Sequence, residues 1–500
     1  VDLETVKPDP EAIKLAPSDF ALKHQVLPLY LQGKTLVAAI GSENSLGAID
    51  NLGVLLDQPV KPVLADPGLL REVIEDQFIA NIFSGLPQED SQFTEIDDTA
   101  DLADLHQMAG AAAIVQMVNL IFSQAVKDGA SDIHIEPYER ELRVRCRIDG
   151  IMQETVRPPK RMHAALVSRL KILGGMNIAE RRLPQDGRIK LQVAGRPIDV
   201  RVAIVPTIYG ERAVMRILDK SNAVLGLPEL GMAEDILEQF RAVIKQPHGM
   251  ILSTGPTGSG KSTTLYAGLQ ELISPTTNIL TIEDPVEYQV FGIGQIQVQP
   301  NIGLTFAKGL RSIVRQDPDI LMVGEIRDEE TAEIAIHAAL TGHLVFSTLH
   351  TNDSAGAITR LLDMGVEPYL AASSIIGILA QRLLRRNCPY CSAPYEESSA
   401  VLESLKIRAA EIPGGRLIRG HGCDKCQGTG YKGRRGLFEF LAVDETIRQM
   451  TVQRASAGEM KAHAVEKLKM RTLLEDGRRA VLAGLTTPEE VLRVCQSDEQ

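Results

Sequence analysis

The chain has 500 residues, 44% hydrophobic, 24% charged and 4% aromatic, with no tryptophan and a formal net charge of −12. That length predicts about three or four domains with their own cores, of ordinary globular composition. The acidic balance and scarce aromatics argue against coating nucleic acid or anionic lipid, and no run approaches the roughly twenty apolar residues of a membrane-spanning helix.

The N-terminus, with Glu4, Asp9 and Glu11 and no apolar segment, does not read as a secretory signal. Residues 1–83 read as a small α/β domain, with strands over 26–30 and 34–40 and a helix over 68–77. Residues 84–104 are acidic and aperiodic, which predicts a flexible linker. A second α/β domain spans 105–222. It opens on a helix whose apolar face is Ile114, Val118, Ile121, Phe122 and Ala125. The alternation from Leu142 to Ile148 predicts a half-buried strand, with Arg143, Arg145 and Arg147 on a solvated face and Cys146 in the core.

Residues 223–385 repeat strand, loop and helix, the order of a mostly parallel sheet covered by helices. An apolar strand over 249–254 runs into Gly255, Pro256, Thr257, Gly258, Ser259, Gly260, Lys261, Ser262 and Thr263, and a helix starts about Thr263. This is a complete phosphate-binding loop in the setting the pattern requires. Its glycines let backbone N–H groups curl around a phosphate at a helix N-terminus. Lys261 reaches the β- and γ-phosphates of a nucleoside triphosphate, and the Ser262 hydroxyl ligands Mg²⁺. The alternative is a chance glycine-rich turn.

Three further segments point to hydrolysis. Ile279 and Leu280 lead to Glu283 and Glu287, and a second apolar strand over 320–323 leads to Glu325, the expected general base. A helix N-cap or solvated loop is the alternative for any one of these acids. His343 and His350 bracket the apolar run 344–349, and either could orient water or sense the γ-phosphate.

Residues 386–435 form a locally basic insertion with two Cys-x-x-Cys pairs, Cys388 with Cys391 and Cys423 with Cys426. Four thiolates at this spacing suit a closed tetrahedral Zn²⁺ site, with a disulfide or redox pair as the alternative. Paired cysteines in a large nucleotide-binding chain indicate a reducing, cytoplasmic setting. Cys495 has no obvious partner. Residues 436–500 form a C-terminal region, with a charged helical tail from Glu445 to Cys495.

Together, the phosphate loop, the acidic strand end at 283–287, the Glu325 strand and the histidine-bracketed strand resemble the secretion traffic ATPases of type II secretion and type IV pili. There they correspond to the Walker A, Asp, Walker B and His boxes. Residues 183–189 and 210–216 are similar to that family's second N-terminal domain. The resemblance implies a RecA-like P-loop core, a PAS-like second domain and a zinc-binding insertion. It implies a homo-hexamer in which Arg201 and Arg216 complete the ATP site, with Arg311, Arg315, Arg327 and Arg360 lining the site or its interfaces. Structural ion pairs are the alternative for these arginines. The first domain would dock the cytoplasmic part of an inner-membrane secretion protein. An inner-membrane platform protein would be a further partner, and nucleic acid would not. The chain would then sit on the inner membrane only through protein contacts. The expected activity is ATP hydrolysis that drives pseudopilus assembly in type II secretion. The alternatives are a type IV pilus extension motor and, from a different class, a non-hydrolysing nucleotide-gated scaffold.

Overall fold

The computed structural model describes residues 112–193, 196–219 and 225–495, together with most of 3–73. The predicted linker over 84–104 lies outside the described residues, as does most of the predicted 68–77 helix.

The first domain pairs β1 (Val26–Gln32) antiparallel to β2 (Thr35–Ile40), which runs parallel to β3 (Val60–Leu64). Helices α1 (Pro10–Leu15) and α2 (Leu46–Leu56) accompany this sheet. Ile13, Leu27, Leu29, Leu36 and Leu52 fill its core.

The second domain is a six-stranded antiparallel sheet in the order β6-β5-β4-β9-β8-β7. Its strands are β4 (Ala130–Pro137), β5 (Leu142–Ile148), β6 (Ile151–Val156), β7 (Gln185–Val193), β8 (Arg196–Thr207) and β9 (Gly210–Asp219). Helices α3 (Ala112–Lys127) and α4 (His163–Gly174) cover one face. All five apolar residues singled out on α3 are buried there, with Ile133, Val144, Cys146, Val200 and Met215. The other face is polar, as period-two alternation requires. Its arginines are not simply solvated: Arg143 pairs with Glu141, Arg145 with Glu136 at 2.7 Å, and Arg147 with Asp132 at 3.8 Å. The carboxylates come from the neighbouring strand or turn, which a single-strand reading cannot anticipate.

The third domain holds a seven-stranded sheet ordered β12-β11-β13-β14-β10-β15-β18. These are β10 (Gly249–Thr254), β11 (Ile279–Glu283), β12 (Gly294–Gln297), β13 (Ile320–Val323), β14 (Leu344–Leu349), β15 (Ile375–Asn387) and β18 (Tyr431–Ala442). All pairings are parallel except that of β15 with β18. Helices α5 (Glu234–Ile244), α6 (Lys261–Leu272), α7 (Phe306–Ile313), α8 (Glu329–Leu340), α9 (Ala355–Asp363) and α10 (Pro368–Ser374) supply its crossovers and flanks. Both faces are buried, so β10, β13 and β14 are continuous buried runs.

The cysteine insertion, with α11 (Ser399–Ser404) and the small antiparallel pair β16 (Ser392–Tyr395) and β17 (Leu417–Gly420), leaves and re-enters this sheet. Its sequence boundaries need correction on both sides. β15 continues past residue 385 to Asn387, and β18 carries residues 436–442 back into the sheet. Helical structure resumes only at α12 (Glu445–Val452), followed by α13 (Ala457–Glu466), α14 (Leu473–Leu482) and α15 (Pro488–Cys495). The expected helical tail from Glu445 to Cys495 is therefore present.

Candidate active site and metal centre

The loop after β10 turns on Gly255, at φ +149°, where an added Cβ would lie 2.5 Å from the Gln381 carbonyl oxygen. It closes on Gly260, at φ +90°, which caps α6. The left-handed cap starts the helix at Lys261, two residues before the apolar pattern signals it. Lys261 is 8% exposed and donates to the carbonyls of Gly255 at 2.8 Å and Pro256 at 3.1 Å. Burial lowers its pKa to about 8, against the raising influence of Glu325. Thr254 at the end of β10 is tied to Thr351 beyond β14 by a 2.6 Å hydroxyl contact and by the Thr351 N–H at 2.9 Å.

Glu325 follows β13 at the same end of the sheet. Its carboxylate pairs with Arg327 and lies 3.4 Å from His350 Nε2. Thr348 on β14 donates to the Gly324 carbonyl at 2.7 Å and fixes the turn that presents Glu325. Parallel register from β13 through β14 to β10 puts Glu325 at the same end of the sheet as the phosphate loop that carries Lys261.

Glu283 is only 3% exposed. It accepts from Tyr266, from Thr281 at 2.6 Å and from Gln295 at 3.2 Å. Burial raises its pKa in spite of those bonds. Glu287 is half-buried and lies 3.9 Å from Arg201 of the second domain.

One expected site residue is at the wrong end of the sheet. β14 pairs parallel with β10, with Leu344 opposite Gly249 and Leu349 opposite Thr254, so His343 lies six residues of strand from the phosphate loop. Its Nδ1 is 2.9 Å from the Ala338 carbonyl at the end of α8, a structural contact. His350 lies at the phosphate-loop end of the strand, beside Glu325. Symmetric bracketing of a strand could not distinguish the two, because a strand has only one end at the loop.

The arginines divide by partner. Arg216 pairs with Asp132 at 3.0 Å and Arg311 with Glu330 at 2.5 Å. Arg315 and Arg360 are exposed, with no carboxylate partner among the described residues. Strand register puts Arg147, Asp132, Arg216, Arg201 and Arg188 in one cross-strand row over five strands. Sequence reading missed Gln381 and Arg382 on β15, which pack against the phosphate loop. The available signal was two polar residues interrupting the apolar run from Ile375 to Leu384.

The four cysteines converge, with sulfurs 3.9 Å apart for Cys388 and Cys423, 3.8 Å for Cys391 and Cys426, and 3.7 Å for Cys423 and Cys426. Tetrahedral Zn²⁺ with Zn–S bonds of about 2.3 Å places its sulfurs about 3.8 Å apart, so the donor set fits. None of the four is in a disulfide. Burial raises the Cys426 pKa, but backbone N–H donors from Cys423 and Gly430 overcome this and bring it down to about 6.

The "Type II/IV secretion system protein" family model matches residues 107–493, and an MshEN domain model matches 1–77. The type IV pilus assembly ATPase PilB of Myxococcus xanthus is 44% identical over 499 residues, covering 98% of this chain and 88% of PilB. The type II secretion system protein HxcR of Pseudomonas aeruginosa is 52% identical over 401 residues, covering 80% of this chain and 81% of HxcR. The solved Legionella pneumophila ATPase DotB superposes with a TM-score of 0.55 at 21% identity, over 81% of this chain and 97% of DotB, a likeness of fold. The family match takes in the phosphate loop, the Glu325 turn and all four cysteines, and the chain belongs to the type II/IV secretion system protein family.

Proposed function

We propose that this chain hydrolyses ATP in a ring of six copies and so drives assembly of a pilus-like fibre for type II secretion. That it is a secretion or pilus-assembly ATPase follows from its family and relatives; the branch, the ring and the residue roles are our reading. The observation that carries it is Glu325 poised between Arg327 and His350 at the end of the sheet that bears the phosphate loop.

In this reading the backbone N–H groups of residues 255–260 cradle the phosphates at the start of α6. Lys261 leaves the loop carbonyls and donates to the β- and γ-phosphate oxygens, while the Ser262 hydroxyl holds Mg²⁺. When bound there, Mg²⁺ would supply charge neutralisation for the transferring phosphoryl group. Glu325 takes the proton of the attacking water, and Arg327 and His350 hold its carboxylate in place. Arg201 swings from Glu287 to the γ-phosphate. Arg216 keeps the Arg201 strand in register, and Arg311, Arg315 and Arg360 serve the site from the same chain or a neighbour. Glu283 acts from behind, by fixing β11, and Glu287 receives Arg201 between turnovers. Cys388, Cys391, Cys423 and Cys426 hold structural zinc.

Among the described residues no helix is long and apolar enough to cross a membrane. We place the protein at the cytoplasmic face of the inner membrane, docked through its first domain to the cytoplasmic part of an inner-membrane secretion protein and working on the platform protein. A second reading is pilus extension. The PilB alignment covers 98% of the chain and so reaches into the first domain, whereas the HxcR alignment leaves a fifth of the chain unmatched.

Phosphate release from MgATP by the full chain, beside Glu325→Gln, tests the enzyme reading. Tight binding with no turnover in any assembly state would leave only a nucleotide-gated scaffold. Introducing the gene into secretion-deficient and pilus-deficient hosts separates the branches: restored export supports the first reading, restored pili the second.

A further inference from the structure

Strand β15 passes directly behind the phosphate loop and carries two buried polar residues there, Gln381 and Arg382. Parallel pairing sets Thr254, the last residue before the loop, opposite Ala380. The next two residues of β15 therefore lie alongside the loop itself.

Gln381 serves the C-terminal end of the loop. Its Oε1 accepts from the Thr264 hydroxyl at 2.7 Å, within the first turn of α6. Its Nε2 lies so close to Gly260 that an added Cβ would meet it at 2.7 Å. Arg382, 4% exposed, serves the N-terminal end. Its Nη1 lies 3.2 Å from where a Cβ on Gly255 would stand and donates to the Gln381 carbonyl at 3.2 Å. Its Nη2 donates to the Asn352 carbonyl at 2.9 Å, in the turn just after His350.

A planar guanidinium presents its donors in a fixed fork, so it can join two backbone segments in one geometry where an ammonium cannot. We infer that Gln381 and Arg382 are positioning residues for hydrolysis: Gln381 sets the phosphate loop against α6, and Arg382 ties the β15 backbone, against which Gly255 of the loop packs, to the turn that follows His350. Through Arg382 and the β15 backbone beside Gly255, the loop that grips the phosphates and the group that orients the base keep one relative geometry. The inference rests on the reading of Glu325 as the base.

The two residues then have separable effects. Gln381→Ala loosens the loop where it holds phosphate and raises the KM for MgATP several-fold, with kcat nearly retained. Arg382→Lys keeps the charge beside Lys261 but not the fork, and lowers kcat about ten- to a hundred-fold with a smaller change in KM.

The decisive measurement is a double-mutant cycle on the full chain, with wild type, Arg382→Lys, His350→Ala and the double variant assayed for steady-state phosphate release. Thermal melts confirm that each is folded, and Arg382→Gln replaces any lysine variant that is not. Coupled residues give a double variant little slower than His350→Ala alone. Multiplying losses would overturn the inference, as would a pure KM effect of Arg382→Lys. Wild-type turnover that survives Glu325→Gln would instead overturn the reading of the base, so the two failures are distinguishable.

Discussion

Lys261 is a buried ammonium whose neighbours are carbonyls of its own loop. Burial is the main cause of its lowered pKa, near 8. The free protein therefore sheds this proton as pH rises through about 8, while a bound triphosphate holds the ammonium charged to higher pH. The complex then binds more protons than the free protein, and affinity falls as pH rises, approaching tenfold per unit above that point. Titrating a fluorescent ATP analogue with Mg²⁺ from pH 7 to 9.5 measures this slope, which Lys261→Gln should flatten; an equal slope in both proteins would assign it to another group. Glu325 gives the complementary prediction. Glu325→Gln keeps the shape that Arg327 and His350 hold but removes the basic oxygen. We expect turnover to fall by about 10²- to 10⁴-fold with nucleotide affinity largely retained. Matched losses of affinity and turnover would make Glu325 a binding group instead.

At the scale of elements, β11 is fixed by a polar knot rather than by packing alone. Tyr266 on α6 donates to buried Glu283, and its ring meets Tyr288 edge-on at 6.0 Å between centroids. Tyr266→Phe keeps the ring and leaves Glu283 one donor short, which should cost about 1–3 kcal/mol of stability, read from thermal or denaturant unfolding. The four-cysteine module hangs between β15 and β18, so a metal held by its thiolates would order a segment that leaves the nucleotide-binding sheet and returns to it. Cys388→Ser should lower bound zinc from about one ion per chain, by elemental analysis, and open residues 389–430 to proteolysis. Unchanged metal content would rule out the four-sulfur site. Much at this scale was legible in sequence. β10, β13 and β14 announce themselves as apolar runs because both faces of a parallel sheet are buried, and the paired cysteine spacing gives the ligand set. Facts of register were not legible. Nothing local shows that His343 starts a strand parallel to β10 and thus lies away from the loop, or that Arg147 faces Asp132 across strands. Nor does local pattern show that residues 436–442 rejoin the sheet, or that Gln381 and Arg382 pass behind the loop, because each depends on strand order.

In the whole molecule, the polar face of the second domain is a charge row set by register. Of its arginines, Arg216 is held by Asp132 at 3.0 Å, Arg188 is held by Asp199, and Arg147 lies 3.8 Å from Asp132. Arg201, between Arg216 and Arg188 in the row, has Glu287 of the ATPase domain as its carboxylate partner among the described residues, at 3.9 Å, with both side chains 31% exposed. A long, partly solvated pair of this kind contributes little to stability, so Arg201 can be released at small cost while its neighbours stay fixed. A cation so placed suits stabilisation of charge on a transferring phosphoryl group, a role worth about 10³- to 10⁵-fold in rate where an arginine finger acts. Arg201→Ala should therefore leave the melting temperature within a degree or two, consistent with an effect of about 1 kcal/mol or less, and lower kcat by at least about a hundredfold. If a neighbouring copy supplies or braces this arginine, wild-type specific activity should rise with protein concentration, and fusion to a hexamer-forming scaffold should remove that dependence. Arg201→Ala should stay slow in the fused ring. Recovery of full turnover there would mean that Arg201 serves only to join domains, and the charge on the phosphoryl group would have to be met by Arg315 or Arg360 instead.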